Sequence, residues 1–124
     1  MKIRMRGNTL RLRLTRSEVD AIGDGQTVAE ATHFPGGSAL RYALVPGRNY
    51  GARISNDSGD SQITIEVPTA DGSKWATDET QVGLTDDQPF TIDELEVLIE
   101  KDFTCVTPRE GEEELDTFPN PNVA

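Results

Sequence analysis

The sequence predicts an α+β fold: an antiparallel sheet of about six to seven strands, arranged as a meander that can curl toward a barrel, with two short helices. Strict alternation of apolar and basic residues carries the first part of that expectation. It runs through Lys2-Ile3-Arg4-Met5-Arg6 and again through Leu10-Arg11-Leu12-Arg13-Leu14, the period of half-buried strands. Four further strand-like runs punctuated by glycine, proline and asparagine carry the second. With 124 residues, 35% of them hydrophobic and 27% charged, the chain suffices for one core. Residues 1–108 are expected to form that single domain, and residues 109–124 an acidic, proline-containing flexible tail.

Gly7-Asn8 makes a two-residue turn with glycine first, which sets Arg6 opposite Thr9, Met5 opposite Leu10, Arg4 opposite Arg11, Ile3 opposite Leu12 and Lys2 opposite Arg13. Ile3, Met5, Leu10, Leu12 and Leu14 then share a buried face. Thr15-Arg16-Ser17-Glu18 is a capping box, opening a helix from about Arg16 to Ile22 that Gly23-Asp24-Gly25 ends. Strands follow at Thr27–Phe34, Ala39–Val45, Tyr50–Ser55 and Gln62–Val67, with Leu40, Tyr42, Leu44, Ile63, Ile65 and Val67 as the sheet core. Asn56-Asp57-Ser58-Gly59-Asp60 lacks the distal glutamate of a calcium loop and reads as a hairpin turn. Ser73–Thr77 suits a second helix that tucks Trp75 against the sheet, and a last strand runs from Leu95 to about Val106. Phe118 offers the tail its one anchor.

Charge is distributed unevenly. Lys2, Arg4, Arg6, Arg11, Arg13 and Arg16 place +6 in the first sixteen residues, so a net charge of −10 leaves −16 on the remaining 108. The acidic balance argues against general nucleic-acid binding, since affinity for phosphate backbones comes largely from excess Lys and Arg. No apolar run approaches the roughly 20 residues of a membrane-spanning helix, and the expected location is the cytoplasm. A single cysteine, Cys105, and a single histidine, His33, are too few for a one-chain structural zinc site, so no metal or cofactor is expected. His33 reads as a structural or surface residue and Cys105 as a small hydrophobe; no catalytic residue is assigned.

The cationic face of Lys2, Arg4, Arg6, Arg11 and Arg13 is the candidate site. Like charges directly across a ladder repel, so something negative must lie close by. Glu94, Glu96 and Glu100 on the last strand, with Glu66 as a further acceptor, are the candidate compensating carboxylates. The other reading leaves the face open to a protein partner or a small anionic ligand, since arginine forks match oxyanions bidentately. The function expected from these residues is a non-catalytic binding or protein-interaction module with a basic hairpin face.

The segments Met1-Lys2-Ile3-Arg4-x-Arg6-Gly7-Asn8, Arg11-Leu12-Arg13-Leu14-Thr15-x-Ser17-Glu18-Val19, Leu40-x-Tyr42-x-Leu44, Glu100-Lys101-Asp102-Phe103-x-Cys105 and Phe118-Pro119-Asn120-Pro121 together resemble a small bacterial family that is itself a domain of unknown function. That resemblance implies no activity or site residue. Rows of strand-borne Lys and Arg beside strand-borne Glu are also similar to the interior of triphosphate tunnel enzymes. This second likeness implies the alternative of a phosphate-ester or triphosphate-binding enzyme. The chain departs from that family's opening pattern of alternating glutamates, because its first strand is wholly basic.

Overall fold

Gly7 takes the positive φ of 55° that the first position of a two-residue hairpin turn requires, and the chain doubles back at that point. The strands it joins, β1 (Lys2–Arg6) and β2 (Thr9–Leu14), pair in the register expected, from Arg6 opposite Thr9 to Lys2 opposite Arg13. The structure, a computed structural model, describes residues 1–103 and Phe118. The expected tail and Cys105 otherwise lie outside the described residues. Thr15 caps helix α1 (Arg16–Gly23) through the reciprocal bonds of the capping box: its N–H donates to Glu18 Oε1 at 2.9 Å, and its Oγ1 accepts from the Glu18 N–H.

The chain continues through β3 (Val28–His33), β4 (Ala39–Gly47), β5 (Gly51–Asp57), β6 (Asp60–Pro68), helix α2 (Thr69–Thr77), β7 (Phe90–Ile92) and β8 (Leu95–Lys101). The fold is α+β, but the expected single meander of six to seven antiparallel strands is corrected. The described residues form two four-stranded mixed sheets, ordered β1-β2-β8-β7 and β3-β4-β6-β5, and neither closes into a barrel. Each sheet has a parallel pair at its centre, β2 with β8 and β4 with β6. Alternation tells which face a residue takes, but not which strand lies beside it.

Residues 48–50 carry the chain past the end of β6, so that β5 lands outside it and β6 fills the place beside β4. Glu66 Oε2 fixes this crossing by accepting the backbone N–H groups of Arg48 and Asn49. Gly47 lies so close to the Glu66 side chain that a Cβ there would overlap it. Ser58 and Gly59, at φ 50° and 89°, make the expected β5–β6 turn; Asp60 Oδ1 accepts the Ala39 N–H at 2.9 Å. The second helix begins four residues earlier than its local pattern indicated, at Thr69. The three-residue β7 is too short to display a period.

One hydrophobic cluster joins both sheets and both helices. Leu12, Leu14, Leu44, Ile65, Val67, Val97 and Ile99 enter it from the strands, Val19 and Ile22 from α1, and Trp75 from α2. Leu40 and Tyr42 reach it only partly buried. The two helices approach closely: a Cβ built on Gly23 would stand 2.5 Å from Ala76 Cβ, and one on Gly72 would stand 2.9 Å from Ile22 Cγ2. Trp75 is fully enclosed, and its indole N–H donates to the Val82 carbonyl at 3.0 Å. Ile3 is only partly buried, and Met5 departs furthest from the expected buried face. Met5 is 55% exposed, because it lies on an edge strand near the hairpin tip, where no element among the described residues covers it.

Tyr50 ties the second sheet to α2 and to the first. Its hydroxyl donates to Asp71 Oδ2 of α2 at 2.5 Å, and its ring centroid is 4.6 Å from that of Phe90 in β7.

Two outcomes follow from this packing. Gly23→Val has no room between the helices and is expected to cost about 2 kcal/mol or more, read as a lowered midpoint in denaturant unfolding. Burial, then the hydrogen bond to Asp71 and that carboxylate's charge, hold the Tyr50 phenol well above its ordinary 10.0. The unfolded chain therefore ionises first, and this contribution to stability is present below pH 10.0 and lost as the pH rises past it. Tyr50→Phe should flatten the fall of Tm across that range, and an unchanged slope would refute the assignment.

Candidate functional site: a cationic sheet face

Parity on β1 and β2 sends Lys2, Arg4, Arg6, Arg11 and Arg13 to the side of the sheet opposite Leu10, Leu12 and Leu14. Arg4 stands directly across from Arg11, and Lys2 from Arg13. The parallel neighbour β8 adds Glu96 beside Thr9, Leu98 beside Arg11 and Glu100 beside Arg13 on the same face.

Glu100 reaches diagonally. Its Oε1 accepts the Arg11 Nε–H at 2.6 Å, in a partly shielded pair with 19% of the glutamate side chain and 37% of the arginine exposed. Lys2 Nζ lies 3.3 Å from Asp102 Oδ2, a carboxylate just beyond the end of β8 that the sequence reading did not single out. Glu96 is exposed and forms no ion pair among the described residues. Glu94 falls in the two-residue turn between β7 and β8 and not on a strand, and likewise forms none. Glu66 belongs to the other sheet. Among the described residues Arg4, Arg6 and Arg13 have no ion-pair partner.

The arginines wall two shallow hollows. One, of about 210 Å³, is lined by Arg4, Arg6, Thr9 and Arg11. The other, of about 140 Å³, is lined by Lys2, Ile3, Arg4, Arg11 and Arg13.

A larger concavity of about 680 Å³ lies elsewhere, with Arg16, Asp20, Glu79, Lys101, Phe103 and Phe118 in its wall. Lys101 shares the inward parity of Val97 and Ile99 and is only 3% exposed, a consequence readable from the alternation of β8 but not drawn from it. Its Nζ donates to the Asp78 carbonyl at 2.8 Å and lies 5.4 Å from the Phe118 ring centroid. Burial lowers its pKa from the ordinary lysine value. Phe118 is buried here, with its N–H donating to the Asp102 carbonyl and the Arg16 guanidinium 4.6 Å from its ring centroid. His33 is exposed at the end of β3. Among the described residues no group of three or more His, Cys, Asp or Glu could hold a metal ion, and no helix is long and apolar enough to cross a membrane.

Residues 1–122 match the model of a family of unknown function, DUF7009, and the chain belongs to that family. No curated protein and no solved structure matches it.

The face itself makes an asymmetric demand on mutation. Arg11→Ala removes both an attraction to Glu100 and a repulsion from Arg4, whereas Glu100→Ala leaves the two arginines facing each other. Glu100→Ala should therefore be the more costly, by about 1 kcal/mol, and added salt should narrow its loss. Equal Tm losses that ignore ionic strength would contradict this account.

Proposed function

We propose that the protein is a non-catalytic binding module that docks an anionic partner protein on the outer face of its β1–β2 hairpin. The observation that supports it is the surplus of cations: Lys2 and Arg11 are paired, while Arg4, Arg6 and Arg13 have no ion-pair partner among the described residues. Three guanidiniums on one open sheet face present forks that match carboxylates bidentately.

A second reading rests on the hollow of about 210 Å³, where Arg4, Arg6, Thr9 and Arg11 surround a space suited to a phosphate group. It makes the protein a phosphate-ester or triphosphate-binding enzyme, with the hairpin holding the substrate's phosphates.

Calorimetric titration with a glutamate-rich peptide, with tripolyphosphate and with chloride at matched ionic strength separates the two. The partner-docking reading expects the peptide to bind, and Arg4→Ala/Arg6→Ala to weaken it by about tenfold or more. Binding of tripolyphosphate alone would transfer support to the phosphate reading. No response to either would remove both.

A further inference from the structure

Among the described residues β1 lies at the free edge of its sheet, and its two faces differ in chemistry. The Gly7-Asn8 turn makes Arg6 and Thr9 the closing hydrogen-bonded pair. Hydrogen-bonded and non-hydrogen-bonded pairs then alternate, so the backbone groups of Arg6, Arg4 and Lys2 point to β2 and those of Ile3 and Met5 point away from the sheet. Lys2, Arg4 and Arg6 line one face of this edge at intervals of about 7 Å. On the other face Met5 is exposed beside the partly buried Ile3.

An edge with unused backbone donors and acceptors is a template for another strand, and charges on it decide which strands are admitted. Here the charges are all of one sign. A second copy of β1 laid antiparallel would set cation against cation on the same face, which disfavours self-pairing. A strand with carboxylates at every second position would instead meet Lys2, Arg4 and Arg6 at about 5 Å between Cβ atoms. Its intervening residues would cover Met5 and Ile3, and are therefore apolar. The overall charge of −10 repels an acidic partner at long range, but screening at physiological ionic strength confines such fields to about 8 Å. The match is consequently read at contact.

We propose that the β1 edge takes up, as a fifth strand of this sheet, a partner segment in which acidic and apolar residues alternate. This rests on the anionic-partner reading above and specifies the partner's conformation and pattern.

The test titrates the full chain with an alternating Glu-Val-Glu-Val-Glu-Val-Glu peptide and with a peptide of the same composition whose glutamates and valines form separate blocks. The alternating peptide should bind at least about tenfold more tightly. Met5→Pro deletes one outward N–H without touching a bond to β2, and should cancel that advantage while leaving the block peptide's affinity unchanged. Where that variant is itself unstable, N-methylation of the peptide's valines, whose N–H groups face β1 in antiparallel pairing, or of its glutamates, whose N–H groups face it in parallel pairing, must in one of the two cases cancel the advantage on the wild-type protein. Equal affinities for the two peptides would overturn the strand proposal and leave the anionic-partner reading standing. Failure of both peptides would overturn the two together.

Discussion

The parallel register of β2 on β8 fixes both faces of the first sheet at once. With Leu10 beside Val97, Leu12 beside Ile99 and Leu14 beside Lys101, the inward row supplies much of the core. The same register places Arg11 beside Leu98 and Arg13 beside Glu100 on the outward row. A slip of one residue in β2 would turn its arginines inward, and burying unpaired guanidiniums is far costlier than any surface ion pair is favourable. The ladder is extended at both ends by backbone bonds, from Glu96 N–H to the Asn8 carbonyl and from Asp102 N–H to the Leu14 carbonyl. The cationic face is thus a consequence of the register that builds the core, and the ion pair of Arg11 with Glu100 is its outward counterpart.

That register also has a cost at its C-terminal end, where inward parity falls on Lys101. An ammonium there loses water, which is why its pKa is lowered. The surroundings offset part of that loss: the Asp78 carbonyl accepts one proton donor, and the rings of Trp75 and Phe118 lie 5.9 and 5.4 Å away. Phe118 is held in turn by Arg16 and by its backbone bond to Asp102. The lysine and the aromatic residue therefore share one microenvironment in the wall of the large concavity.

The hairpin, its register and the capping box were legible because each is written in contiguous residues: the alternation through Leu14, the Gly7-Asn8 turn and the Thr15–Glu18 pair. What lay beside each strand was not. Nothing local in Leu95–Lys101 states that it runs parallel to β2, or in Asp60–Pro68 that β5 lies outside it; both follow from which faces fit together in three dimensions. The same gap separates the carboxylates. Glu96 and Glu100 have identical parity, but among the described residues Glu100 forms an ion pair with an arginine and Glu96 forms none, and Asp102 meets Lys2 from beyond the strand. Exposure of Met5 escaped the pattern because alternation predicts orientation, whereas burial needs something on the other side.

Compensation on the cationic face is consequently incomplete: among the described residues Arg13, at the end away from the tip, lacks an ion pair as Arg4 and Arg6 do. The carboxylates that form pairs come from the C-terminal end of β8 and just beyond it, and they meet Lys2 and Arg11. Glu100 is drawn diagonally to Arg11, away from its register neighbour Arg13. Toward the tip, Arg4 and Arg6 lack ion pairs among the described residues, and Met5 on the reverse face lacks an apolar cover. Unmatched charge on one face of this edge keeps it from pairing with a copy of itself, with apolar surface left open on the reverse face. An edge that receives a strand needs both, since a strand brings its two faces together with its backbone.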